Sequence, residues 1–305
     1  MFSIQIRVLT AGLMLMTGML QAAEPKTILV MGASGRQGNA VVDELLSRGY
    51  AVRGMTRKPQ SKKAQRLADK GVTVVKGDYA DKDSVLAAMA GVQQAFFYSG
   101  FSRDELAEGL NVIAAAKQSG IQHLIYSSGA AAAPEGGMKD AVKAQVELAL
   151  RDSGVPFSVV RPVAFMENFR GQQKRTIEKG VIDSRAPDRH VYFITIPDIG
   201  FFVGEAFDNP NEWLGRAENI AADKMTMMGL AQTFSVVLGK EIAYVRQPVE
   251  EFLQSFPPPL RPLFRWYDEV GYSADTEGLR ARYPNLTTLE EYLRTTGWEN
   301  WKPTP

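Results

Sequence analysis

From Lys26 onward the chain alternates short apolar runs with amphipathic stretches. Thr27–Met31 (TILVM) is apolar after its first residue, the pattern of a strand buried on both faces. Residues 37–48 then set Val41, Val42, Leu45 and Leu46 on one helical stripe that closes on Gly49. The same pair of patterns recurs. Strands are predicted at Ala51–Thr56, Val72–Val75, Val92–Tyr98, Ile121–Ser127 and Phe157–Val160. Helices are predicted at about 61–70, 82–90 (N-capped by Asp81), 103–118 (ended by Gly120) and 139–151. Strands alternating with helices imply βαβ units, and right-handed crossovers wind them into an α/β fold, a doubly wound parallel Rossmann-like sheet.

After Pro162 the rhythm breaks. Residues 165–190 read as irregular and polar. A strand at His190–Ile196, a helix at about 198–207, a strand at Arg216–Ala221, a helix at 225–238 and a strand at Glu241–Val245 follow. The remainder is helical and aromatic, punctuated by Pro257–Pro259. The pattern divides the chain into a doubly wound domain at 24–164 and a smaller C-terminal α/β region at 165–305 that builds a pocket over it.

Residues 1–23 follow another logic. Arg7 is their only charged side chain, Val8–Leu20 is an uninterrupted uncharged run, and Ala22-Ala23 precedes Glu24. A basic start, an apolar run of about 7–15 residues and small residues before a polar segment describe a secretory signal peptide. The run is shorter than the roughly 20 residues a stable membrane span needs. The expectation is therefore an exported, periplasmic protein, or a cytoplasmic one if translation starts further downstream.

Composition narrows the chemistry. The 305 residues hold 35 Lys+Arg against 34 Asp+Glu, two His and no Cys. Balanced charge argues against a nucleic-acid binder that works by phosphate neutralisation. Without Cys there is no thiolate metal site or Cys nucleophile, and two scattered His, at 123 and 190, build no metal centre.

The positive signal is Gly32-Ala33-Ser34-Gly35-Arg36-Gln37-Gly38, which ends the first strand and opens the first helix. Gly32 permits the tight turn, Gly35 lets a pyrophosphate approach the backbone, and Gly38 lets helix and sheet pack closely. The first helical amides and the helix dipole hold phosphate, with Ser34, Arg36 and Gln37 as added side-chain contacts. The end of the second strand sets the preference. An NAD site places an acid about 20 residues after the glycines, whereas an NADP site offers Arg. Here the sequence is Thr56-Arg57-Lys58-Pro59, with no acid between 51 and 60. The expected cofactor is NADP(H), with Arg57 and Lys58 on the 2′-phosphate, in preference to NAD(H), which the same turn accommodates. Lys62, Lys63 and Arg66 read as a solvated basic helix face. Ligands of open α/β sheets lie beyond the carboxyl ends of the strands, which makes candidates of Asp78 and Tyr79 at the adenine, Ser99 and Gly100 at the ribose and pyrophosphate, and Ser127 and Ser128 at the nicotinamide. Asp78 either accepts from an adenine amino group or caps the next turn.

TILVMGASGRQGNAVVDELLSRGYAVRGMTRKP, GDYADKDSVLAAMAGV, FSVVRPVAFMENF and IPDIGFFVGEAF together resemble the NmrA-like family, an atypical branch of the short-chain dehydrogenases/reductases, from about Lys26 to Trp301. The resemblance implies a Rossmann domain binding NADP(H), with members that are either NADPH-dependent reductases of quinones and similar compounds or regulators without turnover. It also implies that Pro162, Val163, Phe165 and Asn168 line the nicotinamide and substrate end, where Phe165 reads nearly as well as a core aromatic and Asn168 equally as a turn residue. Active enzymes of the superfamily pair a strand-end Ser with a Tyr-x-x-x-Lys on the next helix. Ser127 and Lys143 match the Ser and the Lys, but position 139 holds Lys where the Tyr would stand, and none of the ten Tyr has a Lys four residues on. The resemblance thus gives Lys143 a role on the nicotinamide ribose, against the plain alternative of a helical pair with Glu147. The aromatic group Phe264, Trp266, Tyr267 and Tyr272 reads as core packing or as a wall for a planar substrate. Two functions compete: a reductase of a small-molecule acceptor, and an NADP(H)-binding sensor or scaffold that works through a protein partner.

Overall fold

The computed structural model describes residues 26–301 except 101, 139 and 140; the expected signal peptide lies outside the described residues. The first half builds β1 (Thr27–Met31), α1 (Arg36–Ser47), β2 (Ala51–Thr56), α2 (Lys62–Asp69), β3 (Thr73–Lys76), α3 (Lys82–Met89), β4 (Gln94–Tyr98), α4 (Glu105–Ser119), β5 (His123–Ser127), α5 (Val142–Asp152) and β6 (Phe157–Pro162). The second half adds β7 (Ala164–Phe165), α6 (Gln173–Lys179), β8 (Val181–Asp183), β9 (His190–Ile194), α7 (Ile196–Asp208), α8 (Pro210–Trp213), β10 (Ala217–Ile220), β11 (Asp223–Thr226), α9 (Met227–Leu238) and β12 (Tyr244–Arg246). Four short helices follow: α10 (Val249–Gln254), α11 (Arg261–Glu269), α12 (Thr276–Arg282) and α13 (Leu289–Thr295).

The main sheet is all parallel, in the order β10-β6-β5-β4-β1-β2-β3. Its central strands are fully buried (Ile28, Leu29, Val30 and Met31 have no exposed surface), because alternate side chains feed two separate cores. Ile28, Val30 and Phe96 point to the α1 and α7 side. Leu29, Met31 and Phe97 point to the side of α3, α4 and α5. The chain order reverses between β1 and β4, which opens the crevice where such sheets take ligands.

Two elements from beyond residue 165 complete this layer. β10 pairs in parallel with β6 as the seventh strand. α7 lies against α1 so closely that a Cβ on Gly200 would sit 2.8 Å from the Ala40 carbonyl oxygen. Residues 165–190, expected to be irregular, contain β7, α6 and β8; elements of two to seven residues leave no legible period in a sequence. β7 pairs with β9 and β9 with β11, while β8 pairs with β12, and these two small sheets carry the C-terminal part.

Candidate functional site

The glycine turn is built as its spacing requires. Gly32 has φ +72°, a left-handed conformation that disfavours side chains. A Cβ on Gly38 would lie 2.3 Å from the Gly32 carbonyl oxygen, so the helix can sit this close to the turn only without a side chain there. Gly35 is the N-cap of α1 and no side chain caps that helix, whereas Ser61 caps α2 and Asp81 caps α3. The first amides of α1 thus face the crevice with the positive end of the helix dipole behind them. Two side chains fix the turn in place. Ser34 Oγ and Thr56 Oγ1, 3.0 Å apart, tie it to the end of β2. Gln37 Nε2 donates to Ser127 Oγ at 2.9 Å in a buried bond to the end of β5.

Arg36, Arg57 and Lys58 are exposed around this turn, and among the described residues none of them forms an ion pair. Lys63 and Arg66 line one cleft with Ser34, Gly35 and Arg36, a space of about 600 Å³ that continues down the outer side of α1. No strand end of β4, β5 or β6 lines that cleft.

Lys143 reaches the carboxyl end of β4, as its place on α5 implies. Its ammonium donates to the Ser99 carbonyl at 2.7 Å, to Ser99 Oγ at 2.8 Å and to Glu105 Oε1 at 2.7 Å. Among the described residues its carboxylate partner is Glu105 from α4. Glu147, the helical neighbour, is fully buried and pairs with Arg161 and Arg151. Ser99 Oγ also donates to Glu105 at 2.6 Å and lies 2.9 Å from the Tyr126 hydroxyl. Tyr126 is buried, stacked on Phe97, and burial pushes its phenol well above the ordinary range.

The remaining candidates separate. Asp78 Oδ1 accepts from the Ala80 amide at 3.2 Å, the turn-capping arrangement. The Tyr79 hydroxyl is buried, and burial raises its pKa well above the usual value. Gly100 is exposed just beyond β4. Ser128, next to the engaged Ser127, is buried. Pro162 ends β6 in register with Ile220. Phe165 is half-buried in β7 against the α1-side core, and Asn168 is exposed. Phe264, Trp266, Tyr267 and Tyr272 pack edge-on and tilted against one another, beside Phe252 and Phe256.

Two groups carry no assignment from the sequence, and a third, Tyr98, reads there only as part of the fourth-strand end near the ribose and pyrophosphate. Glu105 carries no sequence mark beyond an acid in a first helical turn. Glu167 lies inside the FMENF stretch, between the chosen Phe165 and Asn168. Its Oε1 accepts from the Ile196 amide at 2.9 Å at the start of α7, and it shares the cleft with Arg36. Burial holds its carboxyl above the usual range, and the Arg36 charge works against that rise. Tyr98, the last residue of β4, lays its ring on the glycine turn, with Oη 3.3 Å from the Gly32 carbonyl oxygen. Burial raises its pKa, and the charges of Arg36 and Arg57 oppose the rise.

The model of the NmrA-like family matches residues 24–293. An NmrA-like family domain-containing oxidoreductase (himF) of Aspergillus japonicus is 30% identical over 269 residues, which cover 79% of this chain and 81% of the relative. Two solved structures share the fold at 25% identity, each covering 88% of this chain and 99% of its own. One is the NADPH-dependent quinone oxidoreductase QOR2 of Escherichia coli complexed with NADPH, with a TM-score of 0.78. The other is the triphenylmethane reductase of Citrobacter sp. complexed with NADP(H), with a TM-score of 0.76.

Proposed function

The chain belongs to the NmrA-like family, and from that premise we propose that it is an NADPH-dependent reductase of small apolar electrophiles, quinones among them. One observation carries the reading: the uncapped start of α1 behind a glycine turn, flanked by Arg57 and Lys58 at a strand end that holds no acid. The relatives support it, being oxidoreductases by name, two of them solved with NADP(H).

The residues present fit such a dinucleotide. The amides of α1 with Ser34 and Arg36 hold the pyrophosphate, Arg57 and Lys58 the 2′-phosphate, and the ends of β5 and β6 face the nicotinamide. A bound nicotinamide cofactor supplies a hydride. The protein orients the acceptor against it with Pro162, Phe165 and Asn168. With no Tyr four residues before Lys143, acceptors that need little acid assistance are favoured, which is why a quinone suits this site.

The test is a fluorescence titration with NADPH and NADH, followed by NADPH oxidation with 1,4-benzoquinone measured above the enzyme-free rate. Tighter binding of NADPH and turnover are expected. Binding without turnover on quinones overturns the reductase reading. It would favour a cofactor sensor acting through a protein partner, a reading that the engagement of Lys143 by Glu105 and Ser99 also suits.

We further propose that residues 1–23 direct export and are removed. N-terminal sequencing of the native protein is expected to start at Ala23 or Glu24, and a native chain starting at Met1 refutes this.

A further inference from the structure

A side chain at position 35 would meet Tyr98 first. The Gly35 φ of −80° and ψ of 169° suit any residue, so the backbone does not demand glycine. A Cβ there would lie 2.0 Å from Tyr98 Oη, while its next neighbours, the Gly32 carbonyl oxygen and Tyr98 Cζ, stand at 3.2 and 3.3 Å. The space that the missing side chain leaves is therefore filled by the Tyr98 phenol. In dinucleotide folds the second glycine of the turn is where the pyrophosphate comes against the backbone. Phenol and pyrophosphate claim the same volume.

The phenol is suited to hold that place loosely. It contributes a polar hydroxyl where helix amides, Arg36 and Arg57 favour an anion. Its one hydrogen bond on the turn, to the Gly32 carbonyl, is long at 3.3 Å. The ring is only half-buried and meets Phe96 at 6.2 Å between centroids, with the planes tilted. The staggered χ1 wells are the alternatives open to a side chain so held.

We propose that Tyr98 governs admission of the dinucleotide: its phenol occupies the pyrophosphate seat on the glycine turn and must rotate off before the cofactor binds. The proposal rests on the cofactor reading above and adds to it a residue that sets apparent affinity. A binding-competent state populated at a tenth weakens the apparent Kd about ten-fold.

The test compares the wild type, Tyr98→Ala and Tyr98→Phe by NADPH fluorescence at equilibrium and in stopped flow. For the wild type, the observed rate should level off with NADPH concentration, as ring rotation becomes limiting. Tyr98→Ala should bind about ten-fold tighter, with a rate that rises linearly. Tyr98→Phe, which keeps the ring and loses only the bond to Gly32, should fall between them and preserves the test if the alanine variant folds poorly. Unchanged or weaker binding in both variants overturns the gate and leaves the cofactor reading standing. NADPH binding by Tyr98→Ala alone supports the gate in its strongest form. If neither the wild type nor the variants bind NADPH, the cofactor reading fails and the gate with it.

Discussion

Lys143→Met keeps the length and apolar stem of the side chain and removes the ammonium. Bonds of 2.7 and 2.8 Å to Ser99 and of 2.7 Å to Glu105 disappear together. Glu105 is 5% exposed and is left with the Ser99 hydroxyl as its one remaining donor among the described side chains. Removing one partner of a buried pair costs about 3–5 kcal/mol, because the other charge stays desolvated. The Ser99 bond puts the cost here near the lower end, about 3 kcal/mol, or a fall in Tm of roughly 10 °C. Glu105→Gln takes this carboxylate from the ammonium but keeps an amide oxygen as acceptor, for a cost of about 2 kcal/mol. The double variant buries neither charge. It should cost about 2 kcal/mol, so that the coupling between the two sites is about 3 kcal/mol. Urea denaturation of all four proteins measures these values. Single-variant effects that add to within about 0.5 kcal/mol would refute the buried pair. The stable double variant then isolates the ribose question: a ten-fold or greater loss of NADPH affinity assigns Lys143 to the cofactor, and unchanged affinity makes it a structural residue.

Three other outcomes are expected. His123 is buried, and burial pushes its pKa down to about 4; Ser158 Oγ donates to the Trp213 carbonyl and so accepts from His123 Nε2–H. The unfolded chain takes up a proton at this residue near pH 6.5 and the folded chain only near 4, so stability falls as pH drops through that window. The contribution is about 3 kcal/mol, and His123→Leu should flatten that part of the pH–stability curve relative to the wild type. Gly38→Ala drives a methyl into the Gly32 carbonyl and should cost about 1–3 kcal/mol by thermal denaturation while weakening NADPH binding; a neutral change would mean that helix and turn are not in contact. Arg57→Ala should weaken NADPH binding about 10- to 100-fold, the worth of a charge-assisted bond, and leave NADH binding unchanged; equal losses for both cofactors would remove Arg57 from the 2′-phosphate.

The sequence by itself determined what is local. Each buried strand is one short apolar run, each covering helix repeats its own stripe, and the glycine turn lies within seven consecutive residues, so the fold class and the turn at the start of α1 could be read directly. The cations at 57 and 58 were legible for the same reason: they follow a strand whose end is marked by its own composition. Tertiary structure alone decided what meets across the sheet. Glu105 lies 38 residues before Lys143 yet displaces Glu147, four residues away, as its partner, because Arg161 from β6 takes Glu147. Gln37 reaches Ser127 across 90 residues, and Tyr98 lands on a turn 66 residues upstream. The strand order brings β1 between β2 and β4 and so sets those side chains together. A linear pattern fixes which face of an element is buried, but the register and order of neighbouring strands fix which polar groups that face encounters.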